Sequence, residues 1–287
     1  MNKEVIYVGG DSYAAGEDLA DHLIPGYAYR STNDLLNALN TDKLAEEIYS
    51  WIIRRNEFID KTNSHKLWTD TCHELRWSSV LEKLLSKKVM NISSKGGSSV
   101  YAICYRAVYD IKELQAAGYK ITDAIIQLTG TGRYSFFTRA KDKNIPYEKY
   151  QITSFNTSHS TFKRLTDEIV KIEDYEMSLY RTFYELYVTE ILIENLIGKK
   201  PIFVDSMFFK HSEFHLPDPR FNPFNLIVDN NHPSFVTDFS KSLAERTEFS
   251  MRDCVEHNDE KVWTTNYHFT REVHERFAKK IAERYFK

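Results

Sequence analysis

A serine set directly behind a pair of glycines is the first group in this chain that could act as a nucleophile. Gly9-Gly10-Asp11-Ser12 follows the short apolar run Val5-Ile6-Tyr7-Val8. If that run is a strand of a parallel sheet, the turn behind it lies outside the carboxyl ends of the strands, where ligands gather. The glycines allow a sharp turn, and the Ser12 hydroxyl would then face the crevice. Asp11 and Ser12 are also good N-cap residues, so the same four residues could simply open a helix. A hydroxyl needs a base beside it to attack. His268, in His268-Phe269-Thr270-Arg271-Glu272-Val273-His274, precedes the last helical pattern and could reach the same mouth. The stretch Asn91-Ile92-Ser93-Ser94-Lys95-Gly96-Gly97-Ser98-Ser99 holds a glycine-containing turn. Its backbone N–H groups could stabilise an oxyanion, and the same backbone can start a helix with serine caps. A third turn, Thr129-Gly130-Thr131-Gly132-Arg133, follows another apolar run.

Positioning such groups requires strands that end together. The apolar runs are Val5 to Val8, Lys88 to Ile92, Ala124 to Leu128 and Pro201 to Val204. Helical patterns separate them over residues 77–85, 100–117 and 174–196, with Val80, Leu81, Leu84 and Leu85 sharing one face of the first. Strand and helix in alternation predict an α/β fold with a mostly parallel sheet. The strands are continuous apolar runs, as expected where helices cover both faces. Gly198 and Pro201 suit a helix end and a strand start. A final helix is expected over residues 270–285, with Val273, Phe277, Ile281 and Ala282 at helical spacing. Leu226-Ile227-Val228 is a candidate fifth strand. Three segments fall outside this repeat, approximately 13–75, 131–165 and 206–265. A helix is expected at 42–58 in the first and another at 236–247 in the third. Connections of this length suit rims, lids or partner surfaces, and the whole of 1–287 is read as one domain with insertions.

Composition narrows the function classes. Lys and Arg number 38 against 41 Asp and Glu, a net charge of −3, which argues against a phosphate-tracking nucleic-acid surface. Apolar runs stay well below the roughly 18 residues of a membrane span, and the opening residues lack the apolar stretch of a secretory signal, so a cytoplasmic location is expected. Three widely spaced cysteines, Cys72, Cys104 and Cys254, suggest neither a disulfide framework nor a zinc site. His211 and His215 have a metal-compatible i, i+4 spacing, but Pro217 and Pro219 follow and no third ligand is evident. Gly9-Gly10 lacks the further glycines of a nucleotide fingerprint. Tyr134, Phe136, Phe137, Tyr147 and Tyr150 could line a sugar- or acyl-binding rim or be ordinary packed aromatics.

Gly-Asp-Ser behind the first strand, an Asn91-x-x-x-x-Gly96-x-Ser98 turn behind the second, and His268 before the last helix together resemble the SGNH (GDSL-type) hydrolase family. Trp77-Ser78 and the ending from His268 to Ala278 are similar to a subgroup found in phage and environmental genomes, so a phage-encoded origin is possible. The resemblance implies a three-layer α/β/α sandwich with a flavodoxin-like five-stranded sheet. It also implies ester hydrolysis through an acyl-enzyme, without metal or cofactor. Ser12 would be the nucleophile and, through its backbone N–H, one oxyanion donor. Gly97 would supply the second donor, with Gly96 as the alternative, and His268 would be the base. The substrate expected is a small molecule or a carbohydrate carrying an O-acyl group, with neither nucleic acid nor membrane as a partner. The resemblance leaves the oligomeric state open.

Two positions depart from the family pattern. The third block commonly carries an Asn that completes the oxyanion hole; Thr131 or Arg133 could stand in for it here. The family's orienting Asp, three residues before the histidine, is Thr265 in this chain, and Asp259 is a possible substitute. Asp229-Asn230-Asn231-His232-Pro233 fits the local Asp-x-x-His-Pro pattern better, which makes His232 an alternative base with Asp229 as its partner. The departures also keep open a catalytically weak binding or structural module, and an O-acyltransferase.

Overall fold

The computed structural model describes residues 3–21, 44–94, 98–129, 134–139, 147–152, 175–206, 243, 250–256 and 268–287. The first elements are strand β1 (Lys3–Gly9), the short helix α1 (Ser12–Ala15), helices α2 (Leu44–Thr62), α3 (His65–Leu75) and α4 (Trp77–Leu85), and strand β2 (Val89–Met90). Helix α5 (Val100–Ala116), strand β3 (Tyr119–Leu128), strands β4 (Tyr134–Arg139) and β5 (Tyr147–Ile152), and helix α6 (Tyr175–Ile197) come next. Strand β6 (Ile202–Asp205), a 3-10 turn (Met251–Cys254) and helix α7 (Arg271–Tyr285) complete the described elements.

The central sheet runs in the order β2-β1-β3-β6, and every neighbouring pair is parallel. All four carboxyl ends therefore lie on one edge, which is where Gly10, Asn91, Thr129 and Ser206 emerge. Alternation along β1 sends its residues to two different cores. Val5 and Tyr7 pack with Ile103, Ala107 and Ile111 of α5 and with Phe183 and Leu186 of α6. Ile6 and Val8 pack with Trp77 and Leu81 of α4 and with Val273, Phe277 and Ile281 of α7. Helices thus cover both faces, which explains why β1 reads as an unbroken apolar run. Each fully buried side chain of this size contributes about 1.5–3 kcal/mol.

The structure adjusts several sequence expectations. The second strand pairs only over Val89 and Met90, not over 88–92, because Asn91 turns away to bond elsewhere. The third begins earlier, at Tyr119, and pairs with β1 along its length. Four strands are present in the sheet among the described residues; the candidate fifth, 226–228, and the helix expected at 236–247 lie outside them except for Leu243. Part of the 131–165 segment, expected to be irregular, is an antiparallel pair, with Phe136 opposite Tyr150 and Arg139 opposite Tyr147. Its β-branched and aromatic composition suits that pairing.

Candidate active site

Four hydrogen bonds of Asp11 and Asn91 tie the turn behind β1 to its neighbours. The Asp11 carboxylate is fully buried and caps α1, its Oδ1 accepting from the Tyr13 N–H at 3.1 Å. Its Oδ2 accepts the Thr129 hydroxyl at 2.7 Å, which joins the end of β1 to the end of β3. Asn91 Nδ2 donates to the Ala14 carbonyl at 2.7 Å and to Ser78 Oγ at 3.1 Å, which adds β2 and α4. Because Asp11 serves as the cap, Ser12 is free of that task and stands as the first residue of α1. Glycine is required at position 10, since a Cβ there would meet the Ala14 Cβ at 2.5 Å and the Gln127 Cβ at 2.9 Å.

α1 stops after one turn at Gly16, whose φ of 73° is left-handed and whose N–H bonds back to the Ser12 and Tyr13 carbonyls. The chain then reverses, and Asp18 also takes a positive φ, 66°. Aspartate tolerates that region better than most side chains. The reversal carries Asp18 to His268: Oδ2 lies 2.5 Å from Nδ1, with both side chains buried. The imidazole also meets the Tyr13 ring edge-on, with centroids 5.0 Å apart. Of the candidate residues, then, the described structure brings His268 to the short helix that begins with Ser12. The carboxylate beside His268 among the described residues is Asp18, a residue that reasoning from sequence missed. Its only local signal is a carboxylate six positions after Ser12 in a chain with Thr at 265.

Ser12 is 4% exposed and His268 5%. Both residues are thus buried, where α1 meets the chain leading into α7. Few waters compete there, so hydrogen bonds and charges act more strongly than at an open surface.

The turn expected to supply the oxyanion donors is clamped at both ends. Arg106 of α5 donates from Nη1 to the Ser93 carbonyl at 2.6 Å and from Nη2 to the Ser98 hydroxyl. Asp110, one turn further along the helix, accepts from the Ser93 hydroxyl and from Tyr7 Oη, the latter at 2.9 Å. Burial, reinforced by that carboxylate, holds the Tyr7 phenol protonated well above its ordinary range. Ser99 caps α5, accepting from the Ala102 N–H at 3.2 Å. Gly96 and Gly97, between the two clamps, lie outside the described residues, as do Thr131, Arg133, Asp229, His232 and Asp259.

Rival nucleophiles are weak. Burial pushes the Cys72 and Cys104 thiols up to about 12 and Cys254 up to about 11, so none is a thiolate near neutral pH. Among the described residues no group of three or more His, Cys, Asp or Glu could hold a metal ion, and no helix is long and apolar enough to cross a membrane.

No family model and no curated protein matches the chain. Solved structures that it resembles include a protein assigned to the lipolytic G-D-S-L family from Desulfitobacterium hafniense DCB-2, at 11% identity over 99% of either chain and a TM-score of 0.39. Another is Est24, a carbohydrate acetylesterase from Sinorhizobium meliloti, at 13% identity over 98% of this chain and 97% of that one, TM-score 0.39. A third is the aryl esterase of M. smegmatis, at 12% identity over 98% and 97%, TM-score 0.39. Superposition at this level is loose, and the functional reading rests on the contacts within the site.

Proposed function

We propose that the chain is a serine esterase or deacylase of SGNH type, with Ser12 as nucleophile and His268 as base, built on the five-stranded, three-layer form of the α/β fold. The observation that carries this reading is the seating of His268 against α1, where its ring meets Tyr13, the neighbour of Ser12. A carboxylate can only accept, so the Nδ1 that faces Asp18 bears the proton and Nε2 keeps its lone pair for a serine hydroxyl.

In the reaction, Nε2 removes the Ser12 proton as Oγ attacks the acyl carbon. The carbonyl oxygen becomes an oxyanion, received by the Ser12 N–H and by the N–H of Gly97 or Gly96. The intermediate collapses to an acyl-serine, and the imidazolium returns its proton to the leaving alcohol. Water, activated by the same ring, then releases the acid. Arg106 holds both Ser93 and Ser98, and Asp110 holds Ser93, on either side of Gly96 and Gly97, which supports placing the oxyanion donors between them. A serine with so little exposed surface favours a small acyl group, and a small O-acyl ester, such as an acylated carbohydrate, is the proposed substrate class.

Turnover of p-nitrophenyl acetate tests the reading. Ser12→Ala is expected to lower kcat by about 10⁵-fold or more, the scale seen when a serine nucleophile is removed. A fluorophosphonate probe is expected to label wild type stoichiometrically and Ser12→Ala not at all. Equal turnover in both proteins would defeat the enzymatic reading, and an unlabelled Ser12 would favour a binding module. Acyl transfer to an added alcohol in preference to water would make the protein an acyltransferase using the same groups.

A further inference from the structure

We propose that Asp18 is the positioning carboxylate for His268, and that Arg55 of α2 holds Asp18 in place. This deepens the esterase reading and rests on it. In the family that the sequence resembles, the orienting carboxylate precedes the histidine by three residues, a place occupied here by Thr265. The carboxylate that meets His268 comes instead from the opposite end of the chain, 250 residues away.

The two oxygens of Asp18 divide the work. Oδ2 accepts from His268 Nδ1 at 2.5 Å, which sets the tautomer and the plane of the ring. Oδ1 forms an ion pair with Arg55 Nη1; the Asp18 side chain is buried, at 3% exposed, and that of Arg55 largely covered, at 11%. The same Nη1 lies 3.8 Å from Asp21 Oδ2, and the guanidinium sits over the Trp68 ring, 5.0 Å from its centroid. Trp68 Nε1 in turn donates to Asp21 Oδ1 at 3.1 Å. Arg55 is thus fixed from three sides, by Asp18, Asp21 and Trp68. A carboxylate held between a guanidinium and an imidazole has little freedom to rotate, and the ring inherits that restriction. This gives α2 and α3, both within the long segment after Ser12, a task in the chemistry: they supply the rigid backing of the base.

Among the described residues, the charged and titratable groups around His268 are Tyr13 and Asp18 on the α1 side, with Arg55, Asp21 and Glu17 behind Asp18, and His274 on α7. Of these, Asp18 is the anion in contact with the ring. It favours the imidazolium that forms in the transition state, while Arg55 beyond it opposes that charge from a longer distance.

The experiment compares wild type, Asp18→Asn and Arg55→Met by ester kinetics and by NMR titration of the His268 ring. Asp18→Asn is expected to lower kcat by roughly 10²–10⁴-fold, as when a triad carboxylate becomes an amide that permits the wrong tautomer, with KM changed by less than about threefold. The His268 titration should move lower in Asp18→Asn, because an anion in contact is gone, and higher in Arg55→Met, because a cation is gone. A structural role alone would lower the folded fraction and leave the titration of folded protein in place. Should Asp18→Asn fail to fold around an unpaired Arg55, the double variant Asp18→Asn/Arg55→Met removes both buried charges and carries the same readouts. Active wild type with unchanged kcat and unchanged His268 titration in Asp18→Asn would overturn Asp18's role and leave the esterase reading intact. Wild type without ester turnover would overturn the esterase reading, and the titration would still decide whether Asp18 governs the ring.

Discussion

His268 and His274 leave the same stretch of chain, six positions apart, and are both buried, yet the fold gives them opposite chemistry. His268 Nδ1 faces an aspartate. His274 Nδ1 accepts the backbone N–H of Trp77 at 3.1 Å, and its Nε2 is buried without a hydrogen-bond partner. Burial, with a smaller contribution from His268, drives the His274 imidazole down to about 3. In the proposed mechanism the first ring takes and returns the Ser12 proton; the second stays neutral at ordinary pH and caps the first turn of α4. What the pair teaches is that the partner of Nδ1, a carboxylate or an amide N–H, decides whether a buried histidine is reactive or structural.

The comparison breaks most visibly under substitution. His268→Ala should lower kcat for p-nitrophenyl acetate by about 10⁴-fold or more with the protein still folded, since loss of the base disables the nucleophile. His274→Phe should spare kcat by comparison and act on stability. It strands the Trp77 N–H, at a cost of about 1–3 kcal/mol in urea unfolding. If instead His274→Phe proved the more damaging to kcat, the assignment of roles would be reversed.

Acid sharpens the same contrast. Because His274 titrates near 3 folded and near 6.5 unfolded, the unfolded chain binds the extra proton between those values. Stability is therefore complete above about 6.5 and falls as pH drops, by up to about 1.4 kcal/mol per pH unit from this one group. His274→Phe should show a shallower acid limb than wild type, and an identical slope would refute the assignment. The smallest effect belongs to the exposed face of the same helix, where Arg271 Nε meets Glu275 at 2.6 Å in an i, i+4 pair. Glu275→Gln should cost no more than about 0.5 kcal/mol and leave turnover at the wild-type level.

Much of the framework can be read from local pattern. Trp77–Leu85 is a helix with the expected bounds, Tyr175–Ile197 is shifted by one residue at each end, and Arg271–Tyr285 starts one residue late. Trp77–Leu85 and Arg271–Tyr285 carry strong apolar periodicity, which survives any tertiary context that needs one buried face, and Tyr175–Ile197 is marked by its length. The helix expected at 42–58 runs instead to Thr62, where no glycine or proline stops it. The pair β4 and β5 escaped notice because the two runs lie farther apart than a tight hairpin, so the usual turn residues are missing as a signal. On the site, the placement of Ser12 behind Gly10 was legible, since the close approach of Ala14 and Gln127 leaves room for glycine alone. The degree to which the serine is enclosed was not, because burial depends on everything packed above it.

Hydrophobic spacing, glycines at close approaches and capping residues act over a few positions, and so strand ends, helix faces and the turn at Gly10-Asp11-Ser12 are written into the order of residues. The choice of carboxylate for His268 is of another kind. Asp18 and the imidazole are 250 positions apart, and they meet only after β1, α1 and α7 have packed and the chain has reversed through two left-handed residues. A contact made by folding at that range leaves no spacing behind it, which is why a search near His268 passed over the aspartate that the fold delivers.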